Sequence, residues 1–381
     1  MSVSDISFRI PLGLLLIVIA LAGYFVNVLA FVVYVCRRKL RTPPFYFIVH
    51  LLVVDLLAVV CWTSLSAAAA VAGNWPLPFV VCQIQGYIMS FCNLINMHTM
   101  TVLAIERCLL MAKPSLHEDC FAGVYTGFFI AALWVTDAVI AVFSAVHWAE
   151  MLYSPYQYQC YSDHDRSVSH LNFFFTMTYA LPMFFMFVLY VISFCYVYDI
   201  RTRKVSPSGA LVLEVNQFAI GDSYSDRLAR QEEKFKNAGM RPDKPNLGKT
   251  MTFTPRGYIT NDTETEDGPE PLQKVKKREY FLAKHDYDLM KAYVVMTCVY
   301  VACWFPYVML SYAWTYKPRS YSTLPWEVTT VFTLITHCGS FVKPLILVLM
   351  VESFKVALLR TVARDETKKH IKETPVTQWK R

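Results

Sequence analysis

Four charged residues stand in or beside apolar runs of this sequence, where few kinds of chemistry are open to them. Asp55 lies in LLVVDLLAV and Lys343 lies in HCGSFVKPLILVLM, while Glu106 and Arg107 are adjacent in LAIERC. A charged side chain is costly in hydrocarbon, so it faces the interior of a helix bundle and pairs with another polar group. Asp55 therefore needs a partner inside the protein, and a lysine as deep as Lys343 needs an equivalent explanation.

The segments around these residues belong in a membrane. The chain has 381 residues, of which 55% are hydrophobic and only 17% are charged, and its mean hydropathy is positive at +0.35. This composition is too apolar for a soluble domain of this length. Several runs are long enough to cross a hydrocarbon core of about 30 Å. We predict seven transmembrane helices, at about residues 10–35, 45–72, 79–111, 122–147, 169–198, 285–315 and 325–350.

The distribution of basic residues predicts how these helices are oriented. Four lysines and arginines lie in 36–44 and eight follow residue 350, whereas the connections 73–78 and 148–168 together contain Arg166 alone. Because basic loops stay on the cytoplasmic side, the N-terminus is predicted outside and the C-terminus inside. We expect a multi-pass protein of the plasma membrane. The net charge of +7 reflects this cytoplasmic excess and does not indicate nucleic-acid binding.

Polar segments divide the rest of the chain. Residues 1–9 are predicted as a short extracellular N-terminus ahead of a bundle that spans 10–350. Residues 199–284 are predicted as a long, mostly disordered cytoplasmic loop within that bundle. Residues 352–363 have apolar positions at helical spacing with basic residues opposite, which favours a helix along the inner membrane surface; a plain continuation of the seventh helix is the alternative. Residues 364–381 are then a cytoplasmic tail.

The placement of the cysteines allows one bridge. Most of the eleven cysteines lie inside apolar runs and do not form a disulfide framework. Cys82, at the outer start of the third run, and Cys160, in the second outer loop, stand apart from the others. Oxidising conditions outside the cell allow these two to bond.

Each predicted helix contains one landmark residue, and the order of these residues is distinctive. They are Asn27, Asp55, Arg107, Trp134, Pro182, Pro306 and Pro344. In addition, Cys82 lies 25 residues before Arg107, and Cys160 lies in the following outer loop. Together they resemble the rhodopsin-like (class A) family of G-protein-coupled receptors over all seven helices and the helix after them. The resemblance implies an all-α membrane protein, a seven-transmembrane helix bundle with a short interfacial eighth helix, and a Cys82–Cys160 disulfide.

The resemblance also implies an activation switch at the inner end of the third helix. Glu106, Arg107 and Cys108 stand where the family usually has Asp, Arg and Tyr, and Asp286 stands where a second acid would hold the arginine. In the family, acids hold the arginine at rest and release it when the sixth helix swings outward and a G protein binds. A partly buried guanidinium between two carboxylates suits such a latch, although Glu106 and Arg107 could instead merely solvate a helix end. The other residues assigned to activation and coupling are Tyr190, Trp304 and Pro306.

The seventh helix departs from the family pattern. It reads KPLIL where the family has Asn–Pro–x–x–Tyr, so Lys343 replaces an asparagine and Leu347 replaces a tyrosine. In the family, the asparagine and the aspartate of the second helix line a small hydrated cavity that can hold a sodium ion. The resemblance thus directs the ammonium of Lys343 toward Asp55, where an ion pair would relieve the desolvation of both groups. Lys343 would then act as a built-in cation, and no sodium response is predicted. The alternative is that Lys343 extends along its apolar stem to the inner interface.

The resemblance places a ligand cavity in the outer half of the bundle. Amine receptors of the family have an aspartate where Met89 stands, so the ligand is not expected to be a biogenic amine and the cavity should be apolar and aromatic with scattered hydroxyls. Opsins have a retinal-binding lysine where His337 stands, and Gln85 replaces the glutamate counter-ion of vertebrate visual opsins. No Schiff-base retinal, and no other cofactor, is therefore expected, whereas an apolar ligand bound without a covalent bond stays open. His337 could titrate or bind a ligand, or simply pack. The residues assigned to the pocket are Met89, Ser90, Asn93, Phe174, Phe175, Thr178, Trp304, Tyr307, Ser311, Thr333 and His337.

The leading functional prediction is a receptor, not an enzyme, that transmits an extracellular or membrane-borne signal to a heterotrimeric G protein. Arrestin, membrane lipid and an unknown small ligand are the other partners considered, and no catalytic or metal site is expected. One alternative is a constitutively active or non-coupling regulator that acts through the long inner loop. Leu347 and Cys108 favour this alternative, because they replace residues of the family's usual activation motifs. A transporter or channel would show an internal repeat and ionisable groups along one path, and the sequence has neither.

Overall fold

The part of the chain that the structure describes is almost entirely helical. The computed structural model describes residues 3–37, 40, 42–121, 123–143, 148, 151–163, 167–202, 272–316 and 326–362. Most of the predicted inner loop and the whole predicted tail lie outside the described residues. The described helices are α1 (Val3–Cys36), α2 (Pro43–Ala72), α3 (Phe79–Ala112), α4 (Pro114–Cys120), α5 (Gly123–Val142), α6 (168–202), α7 (Leu272–Tyr316), α8 (Trp326–Met350) and α9 (Glu352–Val362).

Seven of the described helices, α1 to α3 and α5 to α8, are long and apolar enough to cross a membrane, which confirms the predicted seven-helix bundle. The short α4 follows the third span, and α9 follows the seventh. α1 begins at Val3 rather than at about residue 10, so the first helix includes most of the segment predicted as the extracellular N-terminus. Two features account for the longer helix. No glycine or proline interrupts SDISFRI, and Phe8 packs edge-on against Trp326 of α8 with ring centroids 4.9 Å apart.

The helices pack around α3, which is buried along most of its length. α3 contacts α2, α5, α6 and α7, while α7 and α8 lie along one another and α1 packs against α2 and α8. The outward faces of α5 and α6 expose large apolar side chains such as Val124, Phe128 and Phe187. Such a face is stable because lipid, and not water, surrounds the bundle at this depth.

Two of the transmembrane helices contain a π-helical turn. The turns are Val59–Thr63 in α2 and Thr176–Ala180 in α6. In a π turn each N–H bonds to the carbonyl five residues back, so the turn holds one extra residue and rotates the side chains that follow. The turn in α2 carries Trp62, which is 3% exposed and lies inside the bundle. The two turns therefore decide which side chains of α2 and α6 face the interior.

A β-hairpin covers one end of the bundle, which is the end predicted to lie outside the cell and is called the outer end below. β1 (Met151–Ser154) pairs antiparallel with β2 (Gln159–Ser162). Cys160 of β2 is bonded to Cys82 near the start of α3, which confirms the predicted disulfide. Tyr158, in the turn between the strands, packs in a small apolar cluster with the outer ends of α1 and α2. The hairpin is thus attached both to α3 and to the first two helices.

Close packing joins the hairpin to α3. A Cβ added at Gly86 of α3 would lie 2.6 Å from the sulfur of Met151 and 3.5 Å from the carbonyl oxygen of Cys160, so a larger residue would push the Met151 side chain aside. Burial, with a smaller contribution from Tyr158, raises the pKa of Tyr153 in β1 to about 12. The phenol therefore stays neutral at physiological pH.

Candidate functional site

An arginine and two acids form a cluster near the C-terminal end of α3, which is predicted to lie inside the cell and is called the inner end below. Arg107 is 2% exposed and Glu106 is fully buried. The guanidinium donates from Nε to Glu106 Oε2 at 2.5 Å and from Nη2 to Oε1 at 2.6 Å, which is a bidentate, charge-assisted contact. Nη1 donates to Oδ1 of Asp286 in α7 at 3.3 Å. Arg107 is therefore held tightly within α3 and more weakly to α7.

A histidine that the sequence analysis did not assign completes this cluster. Nε2 of His117, in α4, lies 2.7 Å from Oε1 of Glu106, the same oxygen that accepts from Arg107. Its ring stacks on Phe121 with centroids 5.4 Å apart. α4 has Pro114 at its first position, where the missing N–H of proline costs nothing. A histidine in a polar connection gives no hydropathy signal, so its contact with Glu106 could not be read from the sequence.

The other residues assigned to activation lie along α6 and α7. Tyr190 of α6 and Trp304 of α7 are buried in the main core. Pro306 lies inside α7. The Cζ atom of Arg107 is 6.0 Å from the ring centroid of Tyr293, also in α7. Their part in activation stays a prediction.

A second buried ion pair lies in the middle of the bundle. Nζ of Lys343, in α8, donates to Oδ1 and Oδ2 of Asp55, in α2, at 2.5 and 2.7 Å. Asp55 is fully buried and Lys343 is 2% exposed. The ammonium also lies 4.9 Å from the ring centroid of Tyr300, and Asn96 donates to Asp55 Oδ1 at 3.4 Å. Lys343 thus points into the bundle, and its charge lies beside the carboxylate oxygens that a bound cation would need.

Polar side chains around this pair link several helices. Asn27 of α1 donates to the carbonyl of Ser340 in α8 and to that of Gly23, both at 2.8 Å. Asn93 of α3 accepts from the hydroxyl of Tyr300 in α7 at 2.7 Å. A cavity of about 10 Å³ beside these groups has room for about one water molecule. Its lining includes Met89, Asn93, Asn96, Trp304 and Ser340.

The residues assigned to the ligand pocket lie on α3, α6, α7 and α8. Ten of the eleven are buried, and Ser311 is half-buried with its hydroxyl bonded to the carbonyl of Tyr307. Aromatic contacts connect α6 to α7: the ring of Phe175 lies 5.6 Å from that of Tyr179, which lies 6.3 Å from that of Trp304. The helices therefore bring most of these side chains to one region, and their role as ligand contacts stays a prediction.

Trp62, which the sequence analysis did not assign, occupies the centre of this region. Its ring stacks on His337 and on Trp304 with centroids 4.2 and 5.5 Å apart. Its Nε1 donates to Oε1 of Gln159 in the hairpin at 2.7 Å. The hydroxyl of Thr63 bonds to Nδ1 of His337 at 3.1 Å. Protein side chains from α2, α8 and β2 thus fill the centre of the predicted pocket.

Further polar contacts hold the hairpin above this region. Gln85 of α3 accepts from the backbone N–H of Cys160 at 2.9 Å and donates to the carbonyl of Trp62 at 3.2 Å. Thr330 of α8 donates to the carbonyl of Tyr156 at 2.7 Å. Gln85 therefore joins the hairpin, α2 and α3.

A groove lies on the membrane-facing side between α2 and α5. Its volume is about 330 Å³, and Tyr46, Val53 and Trp134 form part of its walls. A Cβ added at Gly123 or Gly127 would meet no atom within 4 Å, so both glycines leave this space open. The groove is larger than the cavity beside the Asp55–Lys343 pair and faces the lipid.

Another polar pair that the sequence analysis missed lies inside the membrane. Nδ1 of His98, in α3, is 2.5 Å from Oδ1 of Asp137, in α5. Asp137 stands in ALWVTDAVIAV as the one charged residue of an apolar run. That is the same hydropathy signal that marked Asp55, so it could have been found from the sequence.

Known proteins resemble this chain in sequence. A family model described as 7 transmembrane receptor (rhodopsin family) matches residues 26–370. A rhodopsin of Sargocentron spiniferum is 20% identical over 352 residues, which cover 92% of this chain and 81% of that protein. A rhodopsin of Procottus jeittelesii is 26% identical over 223 residues, which cover 58% of this chain and 73% of that protein.

A solved structure resembles this chain in fold. The crystal structure of squid rhodopsin matches with a TM-score of 0.70, over 99% of this chain and 93% of that one, at 14% sequence identity. At this identity the match shows the fold alone. It agrees with the seven-helix arrangement described above.

Proposed function

Because the chain belongs to the rhodopsin family of seven-transmembrane receptors, we propose that it signals by catalysing nucleotide exchange on a heterotrimeric G protein. A signal from outside the cell or from the membrane shifts an equilibrium between two arrangements of the bundle. The observation that carries the proposal is the Arg107 cluster at the inner end of α3.

The geometry of that cluster suits a two-state latch. The bidentate contact between Arg107 and Glu106 stays within α3, and the hydrogen bond that joins Arg107 to α7 is the 3.3 Å bond to Asp286. The Asp286 side chain is 35% exposed, so water can replace that contact at small cost. Outward movement of α7 then breaks the weaker bond and opens the inner face of the bundle to a G-protein segment.

Nucleotide exchange on purified G proteins tests this proposal. We expect the protein in lipid bilayers to accelerate exchange on at least one G-protein class above the rate with an Arg107→Ala variant. A lipid extract should increase the rate further, and only for the native chain. Equal rates for the two proteins across the G-protein classes, with and without extract, would contradict the proposal.

The ligand is proposed to be apolar and aromatic in character. The side chains assigned to the pocket include no acid, so an ammonium ligand has no counter-ion there. The imidazole of His337 is stacked on Trp62 and bonded to Thr63, which supports a structural part for this residue and no cofactor attached there. A ligand of this kind would enter by displacing Trp62.

A ligand-independent receptor is the second candidate, and the filled pocket favours it. Trp62 and Gln159 occupy the region where a ligand is expected, and their hydrogen bond joins α2 directly to the hairpin. In this case the hairpin takes the place of a ligand and basal exchange is high. Exchange in the absence of extract, compared with the Arg107→Ala background, separates this candidate from the first.

We also propose that the signal is insensitive to sodium, which rests on the position of the Lys343 ammonium beside Asp55. The exchange rate of the native protein should not change when sodium replaces a larger monovalent cation at constant ionic strength. The Lys343→Asn variant should gain a sodium response, because Asp55 is then free to hold the ion. Sodium sensitivity of the native protein at the same ionic strength would sink this idea.

Membrane placement and further partners complete the proposal. We place the protein in the plasma membrane with the disulfide-bonded hairpin outside, because Arg37, Lys355 and Arg360 lie at the opposite end, where Arg37 bonds to Thr361 of α9 at 3.0 Å. The groove between α2 and α5 is a suitable place for a membrane lipid. Arrestin is proposed as an inner partner on family grounds alone.

A further inference from the structure

His98 lies where α3, α5 and α6 meet and touches all three. Its Nδ1 is 2.5 Å from Oδ1 of Asp137 in α5, and its Nε2 is 3.1 Å from the carbonyl oxygen of Met177 in α6. The carboxylate of Asp137 is fully buried, and the imidazole is 22% exposed. Both groups lie within membrane-spanning helices. A histidine and an acid at this depth need a reason to be there.

The carbonyl of Met177 lacks its regular backbone donors. In an α-helix the N–H of Leu181 would reach it, but in the π turn Thr176–Ala180 that N–H bonds to the carbonyl of Thr176. In the π register the donor for Met177 would be residue 182, which is proline and has no N–H. An unpaired carbonyl is costly inside a membrane. Nε2 of His98 supplies the missing donor.

The two contacts of His98 specify where the protons are. The carbonyl of Met177 can only accept, so Nε2 carries a hydrogen. A proton must also lie between Nδ1 and Oδ1 of Asp137, because otherwise two lone pairs would face each other at 2.5 Å. The pair is then either imidazolium with carboxylate or imidazole with carboxylic acid. Both forms have no net charge, which suits a site next to hydrocarbon.

We propose that His98 and Asp137 form a clamp that contains one shared proton and holds the π turn of α6 in its register. His98 is a positioning residue in this scheme, since its hydrogen bonds reach Asp137 and the backbone of Met177 and it acts through that backbone. The effect on signalling rests on the proposed function; the effect on the helix register does not.

The register matters because of the residues that follow Met177. Thr178 is fully buried, and the ring of Tyr179 lies 6.3 Å from that of Trp304. If the clamp is lost, the N–H of Leu181 can return to the Met177 carbonyl and the turn becomes α-helical, at the cost of the Thr178 carbonyl, whose α-helical donor would be Pro182. One residue less in the turn rotates the outer part of α6 by about 100° relative to the inner part. Phe175 would then leave its place against the bundle interior.

Three substitutions separate the clamp from simple packing. His98→Phe keeps a planar ring and removes the donor. Asp137→Leu keeps the approximate volume and removes the partner of Nδ1. Asp137→Asn keeps the clamp without the shared proton, because its amide can donate to Nδ1 while Nε2–H still donates to Met177.

Thermal unfolding of the full chain in lipid bilayers measures the result. His98→Phe and Asp137→Leu should each lower the apparent melting temperature by about 3–6 °C, because the first leaves the buried Met177 carbonyl unpaired and the second leaves Nδ1 of His98 unpaired. Asp137→Asn should stay within about 2 °C of the native protein, on the same conversion. The proposal is overturned if Asp137→Asn is as destabilised as Asp137→Leu. It is also overturned if His98→Phe is as stable as the native chain.

Nitrogen NMR of ring-labelled histidine measures the protonation of His98 directly. A role of His98 in packing alone would not require a particular protonation state. The His98 signal is the one that is absent from the His98→Phe spectrum and shifted in the Asp137→Asn spectrum. In the native protein this signal should show a protonated Nε2. An unprotonated Nε2 would overturn the clamp even if every variant folds poorly. In the nucleotide-exchange assay, His98→Phe and Asp137→Leu should differ in rate from the native protein, whereas Asp137→Asn should not. If neither the native protein nor any variant stimulates exchange, the proposed function fails. The melting and NMR results still test the clamp in that case.

Discussion

Replacing Lys343 by methionine is expected to lower the free energy of unfolding by about 3–5 kcal/mol, because it leaves the buried carboxylate of Asp55 without its counter-ion. Nζ of Lys343 lies 2.5 and 2.7 Å from the two oxygens of Asp55, and neither residue is exposed by more than 2%. The weak bond from Asn96, at 3.4 Å, cannot replace an ammonium. Chemical denaturation in a fixed lipid or detergent environment measures the loss.

Two controls belong with this prediction. The double variant Asp55→Asn/Lys343→Met removes both charges, so it should recover much of the stability lost in the single variant. Lys291→Met breaks the Lys291–Asp288 pair, which has a similar distance of 2.7 Å but side chains 40% and 26% exposed, and should cost less than about 1 kcal/mol. A single Lys343→Met variant as stable as the native protein would show that the ion pair is not needed for folding.

Replacing Glu106 by glutamine is expected to raise basal nucleotide exchange about tenfold, which corresponds to a shift of about 1.4 kcal/mol in the equilibrium between resting and active bundles. Glu106 is fully buried, accepts two bonds from Arg107 and lies 2.7 Å from His117. The amide loses the charge that holds Arg107, so the remaining restraint is the weaker bond to Asp286. Exchange rates normalised to receptor amount measure the effect.

The matched control for this prediction is Asp286→Asn. Its bond to Arg107 is longer, at 3.3 Å, and its side chain is 35% exposed, so we expect a smaller increase of about two- to threefold, since exposed contacts contribute up to about 1 kcal/mol. Adding Arg107→Ala to Glu106→Gln should return exchange to background. If Glu106→Gln leaves basal exchange unchanged in a well-folded receptor, the cluster does not act as a latch.

The cluster around Arg107 shows which contacts residue spacing can predict. Glu106 and Arg107 are neighbours in the chain, so their contact is local, and the spacing of Asp286 from Pro306 in a resembling family indicated the second acid. His117 could not be assigned, because its contact depends on how the short α4 turns under α3. A polar connection has no periodicity from which such a turn can be predicted.

The outer pocket shows a different limit. Helix spacing brought Met89, Trp304 and His337 to one region, yet it did not place Trp62 among them. The reason is the π turn Val59–Thr63, which rotates this part of α2 toward the interior. The choice between i+4 and i+5 hydrogen bonds depends on packing with neighbouring helices, so it cannot be predicted from residue types alone.

The sequence by itself determined that this protein crosses a membrane seven times, which residues are charged inside that membrane, and which two cysteines were free to bond outside it. These properties follow from hydropathy and spacing, which act along the chain. The tertiary structure alone decided two other partnerships: His117 with Glu106, and His98 with Asp137 and the Met177 carbonyl. The pairing of Lys343 with Asp55 was predicted from the family resemblance, and the structure supplied its geometry. Each partnership depends on the rotation and depth of one helix relative to another. Those quantities are set by side-chain packing across the whole bundle, so no local pattern contains them.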